Sequence, residues 1–476
     1  MVSPEDTDEM REPLSAVDHA WLRMDDPTNL MIISGVLVTD EPVKAERIKG
    51  ILRRRLLPIP RFRQHIVHYK DDPYWKDDPE FDLDQHVYQL ELPGPGDDNV
   101  LREVISGLMS EPFPPERPLW SFHLLNGYKG QGCVVMARLH HCIGDGMALL
   151  LVLLSLTDLT VGEPAGDPNG DFDDSPFTDL FRQPPRGLEA AKQLAERIMP
   201  DGIRLMQQTA EAFSSMNAMV TGVASTTALG RLVLRPSDPA TRYKGPLGVP
   251  KRVAWSEPIP VAEVKEIGKA LKGTVNDVLL SAMTGGLRRY LVGRGEKVKG
   301  LNFRAAMPVN LRSLEEMSNL GNQFGLIFLS LPVGIEDPVK RLAELHRRSA
   351  SLKRSAEPIV VYNILKLLGA SPDLVQKIVV DVFAAKTTAV MTNVPGPREQ
   401  LYLAGHPIKE IFFWVPQSGR VGLGISIFSY AGHVRMGLAS DAGLVPDPES
   451  IVKGFHEEYE ELRARAARQP QGHKRA

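Results

Sequence analysis

The sequence has few cysteines and little excess charge. Cys133 and Cys142 are its two cysteines in 476 residues. This excludes a disulfide framework, offers no metal-ligand spacing, and suits a reducing cytoplasm. The net charge is −3 and the sequence pI is about 6.5, so no overall positive field exists that would bind a nucleic-acid backbone. Nucleic acid is therefore not an expected partner.

Long apolar runs and nucleotide-binding loops are also missing. The longest apolar stretch, residues 147–156, has about half the length that a membrane-spanning helix needs. Residues 1–12 are acidic and polar, unlike a secretory signal. No glycine-rich loop of the P-loop or dinucleotide type occurs, which disfavours ATP and NAD chemistry. A protein of this kind is expected to meet a membrane peripherally.

The chain is long enough for two lobes. Its composition, 43% hydrophobic and 24% charged, is that of a soluble folded protein, and 476 residues exceed what one ordinary core accommodates. Residues 161–187 are rich in Gly, Pro and Asp and poor in apolar residues, which is typical of an exposed linker. We expect an N-terminal lobe at 1–160 and a C-terminal lobe at 188–476.

Strand and helix patterns alternate along both halves. In the first half, periodicity predicts strands over 30–39 and 132–139 and helices over 43–57 and 146–158. In the second half, it predicts helices over 187–220, 261–271, 278–290 and 338–355, and strands over 252–255, 303–309, 324–331, 389–392 and 422–430. The predicted fold class is therefore mixed α/β.

Two adjacent histidines follow the predicted strand 132–139. Neighbouring side chains of a strand project to opposite faces, so one imidazole can face a channel as general base while the other packs inward. We predict His141 as the base and His140 as its supporting neighbour. Asp145 is expected to keep the site's shape through backbone or arginine contacts. Gly146 is expected to permit a tight turn into the next helix.

Other roles for this segment stay open on the residues alone. A histidine pair is often two satisfied loop histidines or two metal ligands. Asp145 is available as a further ligand, but His19, His65 and His86 show no zinc-type spacing to the pair, and we predict no metal. Cys142 beside His141 suggests a thiol nucleophile. Adjacent residues on an extended segment project apart, however, which makes them a poor nucleophile and base.

The segment from His140 to Gly146 resembles the HHxxxDG motif of the CoA-dependent acyltransferase superfamily. Residues 14–448 resemble one branch of it, the bacterial wax ester synthase/diacylglycerol acyltransferases. The segments that carry this resemblance are Leu14-Ser15-Ala16-Val17-Asp18, Pro60-Arg61-Phe62-Arg63-Gln64, Phe81-Asp82-Leu83-Asp84-Gln85-His86-Val87, Pro118-Leu119-Trp120, Thr274-Val275-Asn276-Asp277-Val278, Pro308-Val309-Asn310-Leu311-Arg312, Leu320-Gly321-Asn322 and Thr392-Asn393-Val394-Pro395-Gly396-Pro397.

The resemblance implies a fold and a reaction. It implies two chloramphenicol-acetyltransferase-like lobes with mixed sheets and a substrate channel between them. It implies direct transfer of an acyl group from acyl-CoA, a co-substrate, with no bound cofactor, to diacylglycerol, a long-chain alcohol or both. His141 would be the base. Asn276 is a candidate oxyanion donor, with helix capping as its alternative role, and Arg312 is a candidate partner for Asp145.

Two other functions stay open beside this one. The chain could be a condensation-type acyltransferase that takes its acyl group from a carrier protein, or an idle lipid-binding scaffold with structural histidines. The apolar stretch 359–368 is compatible with a lipid-handling surface or with an ordinary buried helix. The basic C-terminus is compatible with contact to anionic lipid headgroups or with a solvated tail. The expected location is cytoplasmic, peripheral on the inner face of the membrane or on lipid droplets.

Overall fold

A computed structural model describes most of the chain. The described residues are 11–70, 72–160, 181, 184–219, 235–313, 315–316, 319–352, 361–364, 380–417 and 419–469, with the backbone alone for 184–187 and 212–219. The predicted linker 161–187 lies almost wholly outside them and stays a prediction. Most of the apolar stretch 359–368 and the end of the basic C-terminus also lie outside the described residues.

The strands are numbered in chain order. They are Arg11–Pro13 (β1), Ile32–Thr39 (β2), Gln64–Tyr69 (β3), Asp72–Asp77 (β4), Val87–Glu91 (β5), Trp120–Tyr128 (β6), Gly132–His140 (β7), Lys251–Trp255 (β8), Ile259–Pro260 (β9), Phe303–Asn310 (β10), Phe324–Leu331 (β11), Ala389–Pro395 (β12), Tyr402–Leu403 (β13), His406–Trp414 (β14), Leu423–Tyr430 (β15) and His433–Asp441 (β16).

The helices are numbered in the same way. They are Ala16–Arg23 (α1), Ala45–Ile51 (α2), Asp98–Met109 (α3), Gly146–Ser155 (α4), Pro184–Ile198 (α5), Pro200–Met219 (α6), Val261–Ala270 (α7), Val275–Gly293 (α8), Pro338–Leu352 (α9) and Glu449–Ala467 (α10). A π-helical turn, Leu52–Leu56, extends α2. In the part of the chain that the structure describes, none of the helices combines the length and the apolarity that crossing a bilayer requires.

The first sheet carries the histidine motif at the end of a buried strand. Its strand order is β13-β14-β2-β7-β6-β5, in which β5 and β6 run parallel and the other pairs are antiparallel. Every residue of β7 is buried, because both faces of this central strand are covered, and its valine-rich run lacks the alternation of a half-exposed strand. The strand ends at His140 and α4 begins six residues later.

The second sheet is formed mainly by the C-terminal half of the chain. Its order is β11-β10-β12-β15-β16-β8, with β9 also paired to β16, and β10-β12 and β12-β15 are parallel. Helices α8 and α10 pack against each other beside it. Two large sheets with helices confirm the predicted mixed α/β class.

The two lobes share a strand and a core. Strand β14 comes from the segment that the sequence assigns to the C-terminal lobe, yet it pairs with β2 of the first sheet. Trp414 at its end is fully buried, and its ring centroid lies 6.0 Å from that of Trp255 in β8 of the second sheet. The lobes therefore meet through packed aromatic side chains.

Two predicted helices differ from those observed. The helix predicted over 187–220 is two helices, because Pro200 lacks the backbone N–H and disfavours helical geometry in the residue before it. Helix α8 begins at Val275, three residues before the predicted start, because Thr274 and Asp277 form a capping box.

Candidate active site

Asp145 fixes the turn that joins the histidine motif to α4. It is the N-cap of α4, and its Oδ1 accepts hydrogen bonds from the backbone N–H groups of Met147 (3.1 Å) and Ala148 (3.0 Å). An aspartate is among the best N-cap residues because it satisfies N–H groups that the helix leaves unpaired. The helix start, and with it the strand-to-helix turn, is therefore held by one carboxylate.

The other oxygen of Asp145 binds the second lobe. Oδ2 accepts from Nη2 of Arg312 at 2.9 Å and from the backbone N–H of Gln323 at 3.0 Å. Both charged side chains are almost completely buried. The backbone adds two bonds between the lobes, from Asp145 N–H to the carbonyl of Gly321 (3.1 Å) and from Gly321 N–H to that of Ile143 (3.0 Å). Arg312 is thus paired with Asp145, which is the pairing that the family resemblance implies.

His141 lies at the junction of the two lobes, against a large cavity. Its imidazole stacks on Trp21, with ring centroids 4.1 Å apart and planes 11° from parallel, and Phe324 lies 5.6 Å away. Its Nδ1 is 2.8 Å from Oδ1 of Asn322. Aromatic rings therefore pack against the imidazole, and Asn322 holds its Nδ1 edge. The remaining nitrogen, Nε2, is left to face the cavity that His141 lines.

Asp18 orients the amide of Asn322. Nδ2 of Asn322 donates to Oδ1 of Asp18 (2.7 Å) and to the carbonyl of His141 (2.7 Å). With both amide hydrogens used, Oδ1 of Asn322 is the acceptor for His141. Ser15, the N-cap of α1, donates to the other oxygen of Asp18 at 2.7 Å. The neutral tautomer of His141 that this arrangement selects has its proton on Nδ1 and a lone pair on Nε2.

Burial keeps the imidazole of His141 uncharged. Removal from water lowers the pKa of His141 to about 4, although Asp145 and Asn322 act in the opposite direction. At neutral pH the ring is therefore a free base. Burial also raises the pKa of Asp18, against its hydrogen bonds from Ser15 and Asn322.

His140 points away from the cavity. Its Nδ1 accepts from the backbone N–H of Cys142 at 3.1 Å, and its Nε2 lies 3.5 Å from Oδ1 of Asp25. Oδ1 of Asp25 also accepts a hydrogen bond from the backbone N–H of Met31. The carbonyl of Met31 in turn accepts one from the backbone N–H of His141. The two imidazoles thus face opposite sides, and His140 supports the segments that hold His141.

The Cys142 thiol is a poor nucleophile in this site. Burial raises the pKa of the Cys142 thiol well above its usual range, so it is not the thiolate that nucleophilic attack requires. Within the described ranges, no group of three His, Cys, Asp or Glu side chains is arranged to hold a metal ion.

The cavity has a volume of about 980 Å³ and a mostly apolar lining. One wall is the face of α4 that carries Leu149, Leu150 and Leu153, and another is the face of β11 that carries Phe324 and Phe328. A mostly apolar cavity with a few polar groups is typical of a small-molecule site. Its size and lining suit long alkyl chains beside the free nitrogen of His141.

The structure corrects the capping alternative for Asn276. Thr274 is the N-cap of α8, and Asn276 is the second helical residue. Oδ1 of Asn276 accepts from Nδ2 of Asn393 at 2.7 Å, and both side chains line the cavity. This orientation leaves the amide N–H groups of Asn276 available to a bound molecule.

Gly146 does not form the tight turn that the sequence predicts for it. It is the first residue of α4, and its φ is outside the left-handed region. A Cβ added there would meet nothing within 4 Å, and the residue lines the cavity. The turn therefore does not need glycine for its backbone conformation; the missing side chain leaves space beside Asp145.

Sequence reasoning gave no role to three residues of this site. Trp21, Asp18 and Asn322 hold His141, although two of them lie in segments that carry the family resemblance. Ser15 and Asp18 have the spacing of a helix cap, which could have predicted the start of α1. The contact between Asn322 and His141 joins residues 181 positions apart, and local patterns carry no signal for it.

Comparison with known proteins gives family matches over both halves of the chain. The family model for the wax ester synthase/diacylglycerol acyltransferase catalytic domain matches residues 14–279, and that for the WS/DGAT C-terminal domain matches residues 320–463. A Mycobacterium tuberculosis protein named "probable diacylglycerol O-acyltransferase tgs1" is 27% identical over 460 residues, covering 93% of this chain and 94% of its own.

Two solved structures share the fold. The wax ester synthase/diacylglycerol acyltransferase from Marinobacter aquaeolei VT8 has a TM-score of 0.68 and 18% identity, covering 96% of this chain and all of its own. The starter condensation domain of rhizomide synthetase RzmA has a TM-score of 0.57 and 14% identity, covering 98% and 96%. The predicted fold class is confirmed.

Proposed function

The chain belongs to the wax ester synthase/diacylglycerol acyltransferase family and is an acyltransferase, and from this premise we propose its substrates and its base. The proposed reaction esterifies diacylglycerol to triacylglycerol, a long-chain alcohol to wax ester, or both, with acyl-CoA as donor. The observation that carries the proposal is the position of His141, whose Nδ1 is bound to Asn322 and whose ring lines the large apolar cavity.

The reaction is proposed as one direct transfer. Nε2 of His141 removes the proton from the acceptor hydroxyl while the hydroxyl oxygen attacks the thioester carbonyl. The tetrahedral intermediate then collapses, the C–S bond breaks, and the imidazolium returns the proton to the CoA sulfur. The products are the ester and free CoA, and no covalent acyl-enzyme forms. Asn322 keeps Nδ1 protonated throughout, so that Nε2 remains the reacting nitrogen.

Asn276 is the proposed donor to the developing oxyanion. Its amide lines the cavity, and its own oxygen is already occupied by Asn393. One well-placed donor of this kind stabilises the transition state by about 3 kcal/mol. Asp145 and Arg312 contribute by holding the turn, since loss of one partner of a buried ion pair costs about 3–5 kcal/mol of stability.

The acceptors suggest where the enzyme works. Diacylglycerol and long-chain alcohols are water-insoluble, so we place the proposed reaction peripherally at the inner face of the membrane or on lipid droplets. A carrier-bound donor and an idle scaffold are the competing functions, and the assay below separates them.

The test is ester formation from labelled palmitoyl-CoA with diacylglycerol and hexadecanol offered in parallel. His141→Ala should lower the rate of formation of both esters by about 100- to 10,000-fold, which is the contribution typical of a general base. His123→Ala is the matched control: burial lowers the pKa of His123 to about 4 as well, but it lies outside the cavity lining. We expect it to retain turnover per folded molecule.

Three other outcomes would contradict parts of the proposal. Undiminished synthesis by folded His141→Ala would remove His141 as the base. Synthesis by the wild type from a carrier-bound thioester but not from palmitoyl-CoA would favour the condensation-type function. Lipid binding without any ester product would favour the scaffold. The ratio of the two wild-type products identifies the preferred acceptor.

A further inference from the structure

The loop between α1 and β2, residues 25–31, holds the backbone of the histidine motif. The carbonyl of Met31 accepts a hydrogen bond from the N–H of His141 at 2.7 Å. The N–H of Met31 donates to Oδ1 of Asp25 at 2.6 Å, and the same oxygen lies 3.5 Å from Nε2 of His140. The position of this loop therefore sets the position of both histidines.

A tight turn forms the tip of the loop. Asp26 and Asn29 exchange backbone hydrogen bonds, and Oδ1 of Asp26 accepts from the N–H of Thr28 at 2.9 Å and from its hydroxyl at 2.6 Å. The carbonyl of Thr28 accepts instead from outside the turn, from Nζ of Lys251 at 2.7 Å. A residue of the second lobe thus binds the loop that holds the histidines.

The ammonium group of Lys251 is fully engaged. Lys251 begins β8, and its side chain is 8% exposed. Besides the carbonyl of Thr28, it donates to the carbonyl of Gly248 at 2.7 Å and to Oδ2 of Asp441 at 3.0 Å. An ammonium has three N–H donors, so each of them has an acceptor. The cation is therefore fixed in one place.

Asp441 holds this ammonium from the second sheet. Its carboxylate is fully buried and also accepts from the backbone N–H groups of Gly248 at 2.7 Å and Gly443 at 3.0 Å. Asp441 lies opposite Lys251 in the pairing of β16 with β8. A buried ion pair is stable only when further hydrogen bonds satisfy both charges, and here they do. The bond to Thr28 is the one that this pair directs to the first lobe.

Strand β8 is itself bound to the first lobe. The backbone N–H groups of Lys251 and Val253 donate to the hydroxyl oxygens of Ser110 (3.0 Å) and Ser106 (3.1 Å). The two serines lie one helical turn apart at the end of α3. The two N–H groups are two residues apart and so lie on the same edge of the strand. Lys251 therefore has a fixed place relative to the loop.

We propose that Lys251 is a positioning residue for His141: its ammonium, held by Asp441, fixes residues 25–31 and, through Met31, the backbone of the base. This inference rests on the proposed function. A general base must lie within hydrogen-bond reach of the proton that it removes. Lys251, Asp441 and the loop, all within the described part of the chain, lie outside the cavity lining, so the expected effect is on the chemical step.

The test removes both charges of the pair. Lys251→Met/Asp441→Asn replaces the cation with a side chain that has no donors and leaves no unpaired carboxylate. The kcat for ester formation from palmitoyl-CoA should fall about tenfold or more, because a displacement of about 1 Å can cost about 100-fold in rate. The KM values for palmitoyl-CoA and for the acceptor should stay unchanged. A rise in either KM with an unchanged kcat would assign the pair to substrate binding and overturn the proposal.

Arg341→Met/Glu458→Gln is the matched control. These residues form another buried ion pair of the second lobe, between α9 and α10, and both lie outside the lining of the described cavity. The control should keep the wild-type kcat per folded molecule. An equal fall of kcat in the control would attribute the effect to the loss of any buried ion pair. An unchanged kcat in the folded test variant would show that Lys251 does not position the base.

Thr28→Gly tests the same contact from the loop and applies even where the neutral pair does not fold. The substitution removes the side chain that binds Asp26 and gives the turn the backbone freedom of glycine, while the buried pair remains. We expect a lower kcat with unchanged KM values. A wild-type kcat would show that the tip of the loop does not set the geometry of the base, and the proposal would be wrong.

Hydrogen exchange separates failure of this inference from failure of the proposed function. The N–H groups of Met31 and His141 should exchange faster in Lys251→Met/Asp441→Asn than in the wild type or the control, as measured by mass spectrometry of peptides covering 25–31 and 140–146. Faster exchange supports the contact even when no ester forms. Unchanged exchange overturns it even when the wild type makes ester.

Discussion

Asn322 gives His141 a neutral partner. A carboxylate at this position would stabilise the imidazolium and raise the pKa of the ring. The amide instead fixes the tautomer without adding charge, and burial then lowers the pKa of His141 to about 4. Asp18 has its negative charge one residue further from the ring, where it sets the direction of the amide. The chain thus separates orientation from charge.

Exchanging the two partners tests this separation. The variant Asp18→Asn/Asn322→Asp keeps one amide and one carboxylate but places the charge against the imidazole. The lone pair on Nε2 must be free for catalysis, so kcat/KM falls as pH drops through the pKa of His141. That acidic limb should move upward by about one pH unit or more, because an adjacent opposite charge favours the imidazolium.

The measurement is a pH profile of kcat/KM with circular dichroism at each pH to establish that the fold persists. Asp145 and His140 also influence the titration of His141, and both remain in the variant. An acidic limb at the wild-type position would show that the amide's neutrality does not set the protonation of the base. A lower plateau without any movement would assign the pair a purely structural role.

At the scale of elements, sequence patterns predict the features that residues adjacent in sequence determine. Strand β7 ends and α4 begins within one residue of the predicted positions, because a valine-rich run, a capping aspartate and an apolar helix are all adjacent in sequence. The same reasoning predicts the histidine faces. It misses Trp21 and Asn322, because stacking and long-range hydrogen bonds depend on how distant segments fold together. The break at Pro200 shows that periodicity alone overextends a helix.

Helix α4 also limits the cavity in a way that can be tested. Leu153 lines the large cavity and a separate void of about 10 Å³ behind it, which Leu37 and Thr157 also border. Leu153→Ala should join the two spaces and shift preference towards longer alkyl chains. The readout is product formation over a matrix of donor and acceptor chain lengths, which also shows which substrate occupies this branch.

Leu151→Ala is the matched control on the same helix. Leu151 is equally apolar and almost fully buried, but it borders neither space. Both substitutions should lower the free energy of unfolding by about 2–5 kcal/mol. Unchanged preference for both donor and acceptor length in Leu153→Ala would mean that this wall does not limit the chain. An equal shift in Leu151→Ala would attribute the effect to loosened packing.

At the scale of the whole molecule, the two sheets do not follow the division of the chain into an N-terminal and a C-terminal lobe. Strand β14 follows the second sheet's β12 in sequence but completes the first sheet beside β2. Its pattern of apolar residues is the same whichever sheet it joins, so sequence could not assign its partner. The Asp145–Arg312 pair and the packing of Trp255 against Trp414 add further contacts between the lobes.

These shared elements predict that the lobes unfold together. Leu124→Ala weakens the first sheet and Leu280→Ala weakens α8 in the second lobe; both side chains are fully buried. Each should cost about 2–5 kcal/mol and lower the midpoint of one common thermal transition, seen alike by circular dichroism and tryptophan fluorescence. Independent lobes would instead give two transitions, with each substitution moving the one that belongs to its own lobe. Because β14 and the Asp145–Arg312 pair cross between the lobes, partial unfolding of either would expose unpaired strand edges and a buried charge of the other, which makes the single transition the expected result.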